Sequence, residues 1–284
     1  MTNADTRNRL FEELTNNEFD RSSYILAIGG GIVCDISGFA ASCFMRGIDF
    51  GFISTTLLSQ VDASVGGKNG INFKGYKNMI GNFNLPQFVI CDPEMLKSLK
   101  KEDLLCGMGE VVKHGIIADK SLFEFIEKNA ALALQSDPKV LERFVYDSVV
   151  IKSGIVNKDA REKGERRKLN FGHTFGHAIE KVKQIPHGMA ISIGMVVAAE
   201  LSVSRNLLSR AEADRIKNVL KSLQLPTQID IKAEEALNAL KRDKKRDGDS
   251  IHFVLLKSIG EAVIEEITIK ELEKIAYEVC VYPG

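Results

Sequence analysis

Three of the five histidines in this 284-residue chain, His173, His177 and His187, fall within one short stretch. In Asn170-Phe-Gly-His-Thr-Phe-Gly-His177 the first two stand four positions apart. On a helix both imidazoles then project from one face and can meet a single cation or substrate group. An HxxxH pair without the glutamate of a zinc protease is only moderately specific, and capping or core histidines share the pattern. A divalent ion held by nitrogen and oxygen would also take a carboxylate, and Glu110 in GMGEVVKH is the best placed by residue type. It reads as a glycine-preceded helix start with Lys113 one turn on, where a glutamate is ordinarily a partner of the helix dipole.

Two further stretches have residue types suited to anions. In VDASVGGKNGIN, two glycines precede Lys68, and Lys77 and Asn78 follow on the same glycine- and asparagine-rich excursion, so their donors could hold an oxyanion. A solvated loop of ordinary turn residues fits that segment equally well. The run Gly29-Gly30-Gly31 between an apolar segment and a helical one would let a pyrophosphate approach the backbone at a helix N-terminus. It lacks GxGxxG spacing, and a tight strand-to-helix turn explains it as well. Asp35, in the first turn of the helix that follows, reads as a dipole partner or cap.

The elements that must position these residues are legible in the apolar periodicity. Residues 24–28 read as a strand and Asp35–Met45 as a helix, with further buried strands at Phe50–Thr55 and Gln87–Cys91. From about Asp92 the pattern turns helical, over Leu122–Leu134, Val140–Val156, Asn170–Val182, Met189–Ser204 and Arg210–Leu223. A strand at 251–256 and a helix at Ile269–Tyr277 close the chain. The expected fold is an α/β lobe with a parallel sheet over 1–92 and a mostly helical lobe over 93–284, with a tight cleft between them.

Composition narrows the function classes. Lysine plus arginine equals aspartate plus glutamate at 38 each, which removes the electrostatic case for a nucleic-acid or membrane-surface partner. Five scattered cysteines without CxxC spacing fit reduced thiols in a cytoplasm. The start MTNADTRNRL is not a secretory leader, and no uncharged apolar run of about 18 residues follows. A cytoplasmic enzyme with a small-molecule substrate is the expectation.

Taken in order, AIGGGIVCDISGF, FISTTLLSQVDASVGGKNGIN, GYKNMIG, GMGEVVKHG, LNFGHTFGHAIE and HGMAISIGM resemble 3-dehydroquinate synthase, a sugar-phosphate cyclase of the shikimate pathway. The resemblance runs from about Tyr24 to the C-terminal strand and rests on six separated motifs. It implies that Glu110, His173 and His187 hold a zinc or cobalt ion, and it moves His177 to the substrate side. It implies substrate contacts at Asp62, Lys68, Asn78, Lys113, Lys152, Arg166, Asn170 and His177, with Lys244 in Asp243-Lys-Lys245. Arg46 matches an arginine that reaches a neighbouring subunit's site, which implies a homodimer. The positions implied for NAD are Gly30, Gly31, Asp35, Thr55, Thr56, Lys77 and Ser98, the last where threonine is commoner. The implied chemistry is a transient oxidation by NAD, elimination of phosphate, return of the hydride and an intramolecular aldol closure, with no net redox change.

Several features depart from that pattern. Only about 23 residues precede the strand at Tyr24, where the resemblance implies a full nucleotide-binding half. The chain therefore reads as N-terminally truncated, with NAD affinity and turnover the properties at stake. Asn69 stands where threonine is usual, and Met189 where glutamate is usual. The rival readings are a cyclase making a deoxyinosose or valiolone, a glycerol or iron alcohol dehydrogenase, and a paralogue without turnover. Arg166, Asn170 and Lys152 together suit a carboxylate-bearing substrate, and the dehydrogenases lack the VDASVGGK cradle.

Overall fold

The computed structural model describes residues 4–74, 76–243 and 250–280. The chain divides into two compact units, Met1–Leu104 and Leu105–Gly284. The change of periodicity lies earlier, at 92, because the segment after the last strand of the first unit stays bonded to that unit. Gln60 Nε2 donates to the carbonyls of Ser54 and Asp92 at 2.9 and 2.8 Å, and Asp92 caps a 3-10 turn over Pro93–Ser98.

The first unit opens with helix α1 (Ala4–Asn16), followed by β1 (Tyr24–Gly29), α2 (Gly31–Cys43) and β2 (Asp49–Ser54). Strand β1 pairs in parallel with β2, and β2 with β5 (Val89–Cys91), giving the order β1-β2-β5. Parallel neighbours need a crossover, and α2 supplies it. Ala27, Phe50 and Phe52 on one face of the sheet form a buried cluster with Cys34 and Ala41 of α2. Tyr24, Leu26, Ile28 and Ile90 are exposed, and the rings of Tyr24 and Phe88 stack at 6.1 Å across Gly51. These strands are apolar on both faces, as parallel strands are, which is why their sequence shows a run rather than an alternation.

The stretch after Val65, read from sequence as an irregular excursion, is instead a hairpin. Strands β3 (Lys68–Phe73) and β4 (Tyr76–Phe83) pair antiparallel, Lys68 opposite Phe83 and Ile71 opposite Ile80, with a register shift after Ile71. Ile71 is buried with Ile36 and Phe39 of α2. Asn69, the departure from threonine, is buried and donates to the carbonyls of Asn84 at 2.8 Å and Gly67 at 3.2 Å. A Cβ on Gly38 of α2 would lie 2.1 Å from Asn69 Oδ1, so the hairpin rests directly on the helix backbone. The dense glycine and asparagine signal hid two strands, because Gly70 and Gly81, which weaken strand propensity, are where the backbones of β3 and β4 come closest.

The second unit holds α4 (Lys120–Leu134), α5 (Pro138–Lys158), α6 (His173–Lys183), α7 (His187–Ser204), α8 (Arg210–Ser222) and α9 (Ala233–Asp243). Helix α3 (Lys101–Ala118) crosses the division between the units. Asp119, Asp137 and Ser209 cap α4, α5 and α8 through their side chains. Helix α7 is apolar all round because it is buried all round, with Ile191, Ile193, Met195, Val196 and Leu201 in the core. It is the one helix among the described residues long and apolar enough to cross a membrane, and 72% of that window is buried inside the protein. Strands β6 (Ser250–Ser258) and β7 (Glu261–Thr268) form an antiparallel hairpin turning at Gly260, whose φ is 95°. The sequence reading finds β6 but not β7, whose EAVIEEIT has its apolar alternation broken by Glu261, Glu265 and Glu266. Helix α10 (Ile269–Val279) follows, closed at its start by a Thr268–Glu271 capping box.

Candidate active site

Glu110 lies inside α3, not at a helix start, because α3 already begins at Lys101. The glycines around it, Gly107 and Gly109, act within the helix rather than before it. A Cβ on Gly109 would meet Gly188 O at 2.8 Å, and a Cβ on Gly188 would meet Cys106 O at 2.0 Å. Helices α3 and α7 therefore touch backbone to backbone one residue from Glu110 and one from His187. A third element arrives the same way. Gly172, with φ 77°, turns the chain into α6 at His173, and a Cβ on Gly194 of α7 would lie 1.9 Å from Gly172 O. That left-handed residue is why the helix begins at His173 rather than at Asn170.

These contacts bring three side chains together. Glu110 Oε1 faces His173 Nε2 at 3.5 Å and His187 Nε2 at 3.4 Å, without a hydrogen bond to either. Its ligand-type atom and theirs lie within 4.8 Å of one another. The fully buried Lys113 makes a close ion pair with Oε2 of Glu110. Burial alone would raise the Glu110 pKa, but the charge of Lys113, with His173 and His187, holds it well below its ordinary value, so the carboxylate is ionised. Burial, reinforced by Lys113, holds His173 well below its ordinary value, so its imidazole is neutral. His173 Nδ1 lies 3.1 Å from the carbonyl of Phe171, and His187 Nδ1 lies 3.1 Å from Glu180 Oε2. A neutral ring that donates from Nδ1 presents a lone pair at Nε2. With that tautomer, each Nε2 turns its lone pair toward Glu110 Oε1, an oxygen without a hydrogen bond. A mixed nitrogen and oxygen set around an oxygen without a hydrogen bond fits a divalent cation.

His177, one turn beyond His173 on α6, has its ring centroid 5.2 Å from that of His173 and 5.8 Å from that of His187. The shared helix face expected from the spacing is there, while the carboxylate stands closest to His173 and His187. His177 and Asn170 line a cavity of about 500 Å³ with His173, Thr174, Arg161 and Arg167, and Val254 and Ile264 of the β6–β7 hairpin form one wall. Asn170 donates to Glu162 at 2.6 Å. Arg166 is buried and donates to the carbonyl of Ala160 at 2.7 Å, and Lys152 is buried in α5.

In the first unit, Thr55, Thr56 and Ser98 line one cavity of about 410 Å³ with Lys100 and Asp103. Gly30 caps α2 without any side-chain hydrogen bond, and a Cβ there would lie 3.0 Å from Thr56. Gly31 opens the helix, and Asp35 stands beyond its first turn rather than in it. Asp62 lies in a single π turn over Ser59–Ala63, and Arg46 is exposed in the turn after α2 with φ 72°. Lys68 and Asn78, read as donors on one excursion, lie at different levels of the hairpin. Lys68 starts β3, whereas Asn78 donates its backbone N–H to Asn72, about four residues or ~13 Å further on. Lys77 is exposed beside Asn78, whose φ is 48°. Lys244 lies outside the described residues.

The match to known proteins runs along this whole arrangement. Residues 1–106 match the family described as 3-dehydroquinate synthase N-terminal, and residues 107–246 match 3-dehydroquinate synthase C-terminal. The chain belongs to the 3-dehydroquinate synthase family. The 3-dehydroquinate synthase of Prochlorococcus marinus (strain MIT 9312) is 46% identical over 264 residues, which cover 91% of this chain and 73% of that protein. A crystal structure of 2-deoxy-scyllo-inosose synthase with carbaglucose-6-phosphate, NAD+ and Co2+ superposes with a TM-score of 0.91. It is 27% identical and covers 98% of this chain and 80% of its own. The 2-epi-5-epi-valiolone synthase from Streptomyces hygroscopicus, with NAD+ and Zn2+ bound, has a TM-score of 0.90 at 29% identity, over 97% and 78% of the two chains. Within this family setting, sequence reasoning missed Glu180 and Glu162, the partners of His187 and Asn170. A signal for Glu180 existed, since it follows His177 by three residues and so shares the helix face of both histidines.

Proposed function

We propose that this chain catalyses the 3-dehydroquinate synthase reaction, converting 3-deoxy-D-arabino-heptulosonate 7-phosphate to 3-dehydroquinate and phosphate. The observation that carries the reading is the Glu110, His173 and His187 cluster, with both Nε2 atoms facing Oε1 of an ionised carboxylate whose Oε2 pairs with Lys113. In this reading those three residues hold one divalent metal, and Gly30, Gly31, Asp35, Thr55, Thr56, Lys77 and Ser98 hold NAD. When bound, these groups supply a reversible hydride acceptor and a Lewis acid.

The chain's own residues do the rest. Lys113, paired with Glu110, keeps that carboxylate anionic at neutral pH. His177 and Asn170, on the cavity wall beside His173, orient the substrate's hydroxyl and carboxylate oxygens. Arg166 and Lys152 offer buried cationic charge suited to the carboxylate. Asp62, Lys68, Asn78, Lys244 and Arg46 complete the substrate contacts, with Arg46 acting on the partner in a homodimer. The leaving phosphate takes the proton made acidic by oxidation, so the protein's task in that step is to cradle it. The class is a carbon–oxygen lyase working in the cytoplasm. The deoxyinosose and valiolone readings share this scaffold, but 46% identity to a dehydroquinate synthase against 27–29% to those cyclases favours dehydroquinate.

The test uses purified chain with NAD+, Co2+ and the seven-carbon phosphate. Phosphate release above a metal-free control is expected, and its absence refutes the activity. Calorimetric titration with NAD+ separates a cofactor-binding failure from a chemical one. His177→Ala is expected to keep its metal and lose turnover, whereas His173→Ala and His187→Ala are expected to lose the metal.

A further inference from the structure

The Nδ1 partners of the two histidines differ. His173 Nδ1 faces a backbone carbonyl, which the fold supplies whatever the side chain at that position. His187 Nδ1 faces the carboxylate of Glu180, a side chain that could have been anything. Both groups of this pair are largely shielded, Glu180 at 21% and His187 at 17% side-chain exposure, so water competes weakly for the bond. The pair also joins two helices. Glu180 sits on α6, seven residues after His173 and on the same face, while His187 opens α7. Helix α6 thus carries one member of the cluster and the buttress of another.

A competing arrangement is present in the same side chains. His177, Glu180 and His187 also bring one ligand-type atom each within 4.8 Å of one another. The two sets demand opposite things of His187. If the ion sits with Glu110, Nε2 is the ligand atom and Nδ1 must keep its proton for Glu180. If it sits with Glu180 and is held by Nδ1, the nitrogen that faces Glu180, that proton must be lost. A neutral imidazole has one lone pair to give, and a carboxylate at 3.1 Å from Nδ1 holds the proton there.

We propose that Glu180 is a positioning residue that fixes His187 as its Nδ1–H tautomer and so sets the metal affinity of the Glu110, His173 and His187 cluster. This rests on the reading of that cluster as the metal site. Carboxylates that accept from the second nitrogen of a ligand histidine typically contribute about 10–100-fold to metal affinity.

The experiment titrates the full chain with Co2+ alone, against a competing chelator, and follows the visible absorption of the bound ion. Glu180→Ala is expected to bind Co2+ about 10–100-fold more weakly with an altered spectrum. Glu180→Gln, whose amide oxygen still accepts from Nδ1–H at the same size, is expected to fall between the two. Thermal melting without metal should be unchanged in Glu180→Gln, which separates positioning from a structural role. Affinity and spectrum within twofold of wild type in both variants overturns the proposal. So does loss of Co2+ in His177→Ala with retention in His173→Ala, since the ion would then belong to the competing set. A wild-type chain that binds no Co2+ refutes the metal reading itself, and this role for Glu180 with it.

Discussion

Gly188→Ala is the sharpest test of how the cluster is assembled. Gly188 stands in the first turn of α7, beside His187, and its N–H donates to Cys106 Sγ at 3.2 Å. An added Cβ would lie 2.0 Å from Cys106 O and 2.7 Å from Cys106 C and Cα. Those are backbone atoms of α3, which no rotamer change can move. Ordinary contact begins at 3.4 Å, so the helices must part locally by about 1 Å or more. Overpacking of this kind costs about 1–3 kcal/mol. The functional effect should be larger, because the displaced surfaces carry Glu110 and His187. A misplacement of about 1 Å at a reacting site costs on the order of 10²-fold in rate. Chemical denaturation, Co2+ titration and phosphate release measure the three quantities. Gly154→Ala serves as the control, since a Cβ there meets nothing within 4 Å in the middle of α5. It should stabilise by about 0.5–1 kcal/mol. Wild-type metal affinity and turnover in Gly188→Ala would refute the argument that backbone contact between α3 and α7 builds the site.

Three further outcomes follow from local geometry. Asn69→Ala removes the side-chain donor from the Asn84 carbonyl, while the Gly67 carbonyl keeps the backbone N–H of Asn84, and should cost about 1–3 kcal/mol. Gly38→Ala on its own should also destabilise, and less so when combined with Asn69→Ala, because the added Cβ collides with the Asn69 side chain; strict additivity in denaturant midpoints would contradict that contact. Glu271 should make stability depend on pH. The backbone N–H of Thr268 is the largest influence on its pKa and, together with Arg205, holds it below the ordinary 4.5 against the opposing effect of burial. A depressed carboxylate stabilises above its unfolded pKa, and that stabilisation fades as pH falls through the folded value. The melting difference between wild type and Glu271→Gln should therefore be full at neutral pH and shrink below about 4.5; a constant difference would exclude this linkage.

Much of this protein is written in short-range pattern. The apolar run at 24–28, the glycine turn and the helix after it predict a parallel β-α-β start, and β1, α2 and β2 form it. The four-residue spacing of His173 and His177 determines that both rings share a helix face, whatever surrounds them. The six ordered motifs carry the resemblance to dehydroquinate synthases, and the family match agrees. Periodicity speaks only of neighbours within one element, however, and the cluster spans three. That Glu110 approaches His173 and His187 depends on α3, α6 and α7 touching at Gly109, Gly188, Gly172 and Gly194, contacts between residues as much as 82 positions apart. For the same reason the hairpin over 68–83 read as a loop, since Gly70 and Gly81 are explained by the close approach of its two strands and Asn69 by Gly38 of the helix beneath. Local sequence therefore determined which side chains could do chemistry, while long-range backbone packing decided which of them meet, through a proximity that no spacing along the chain encodes.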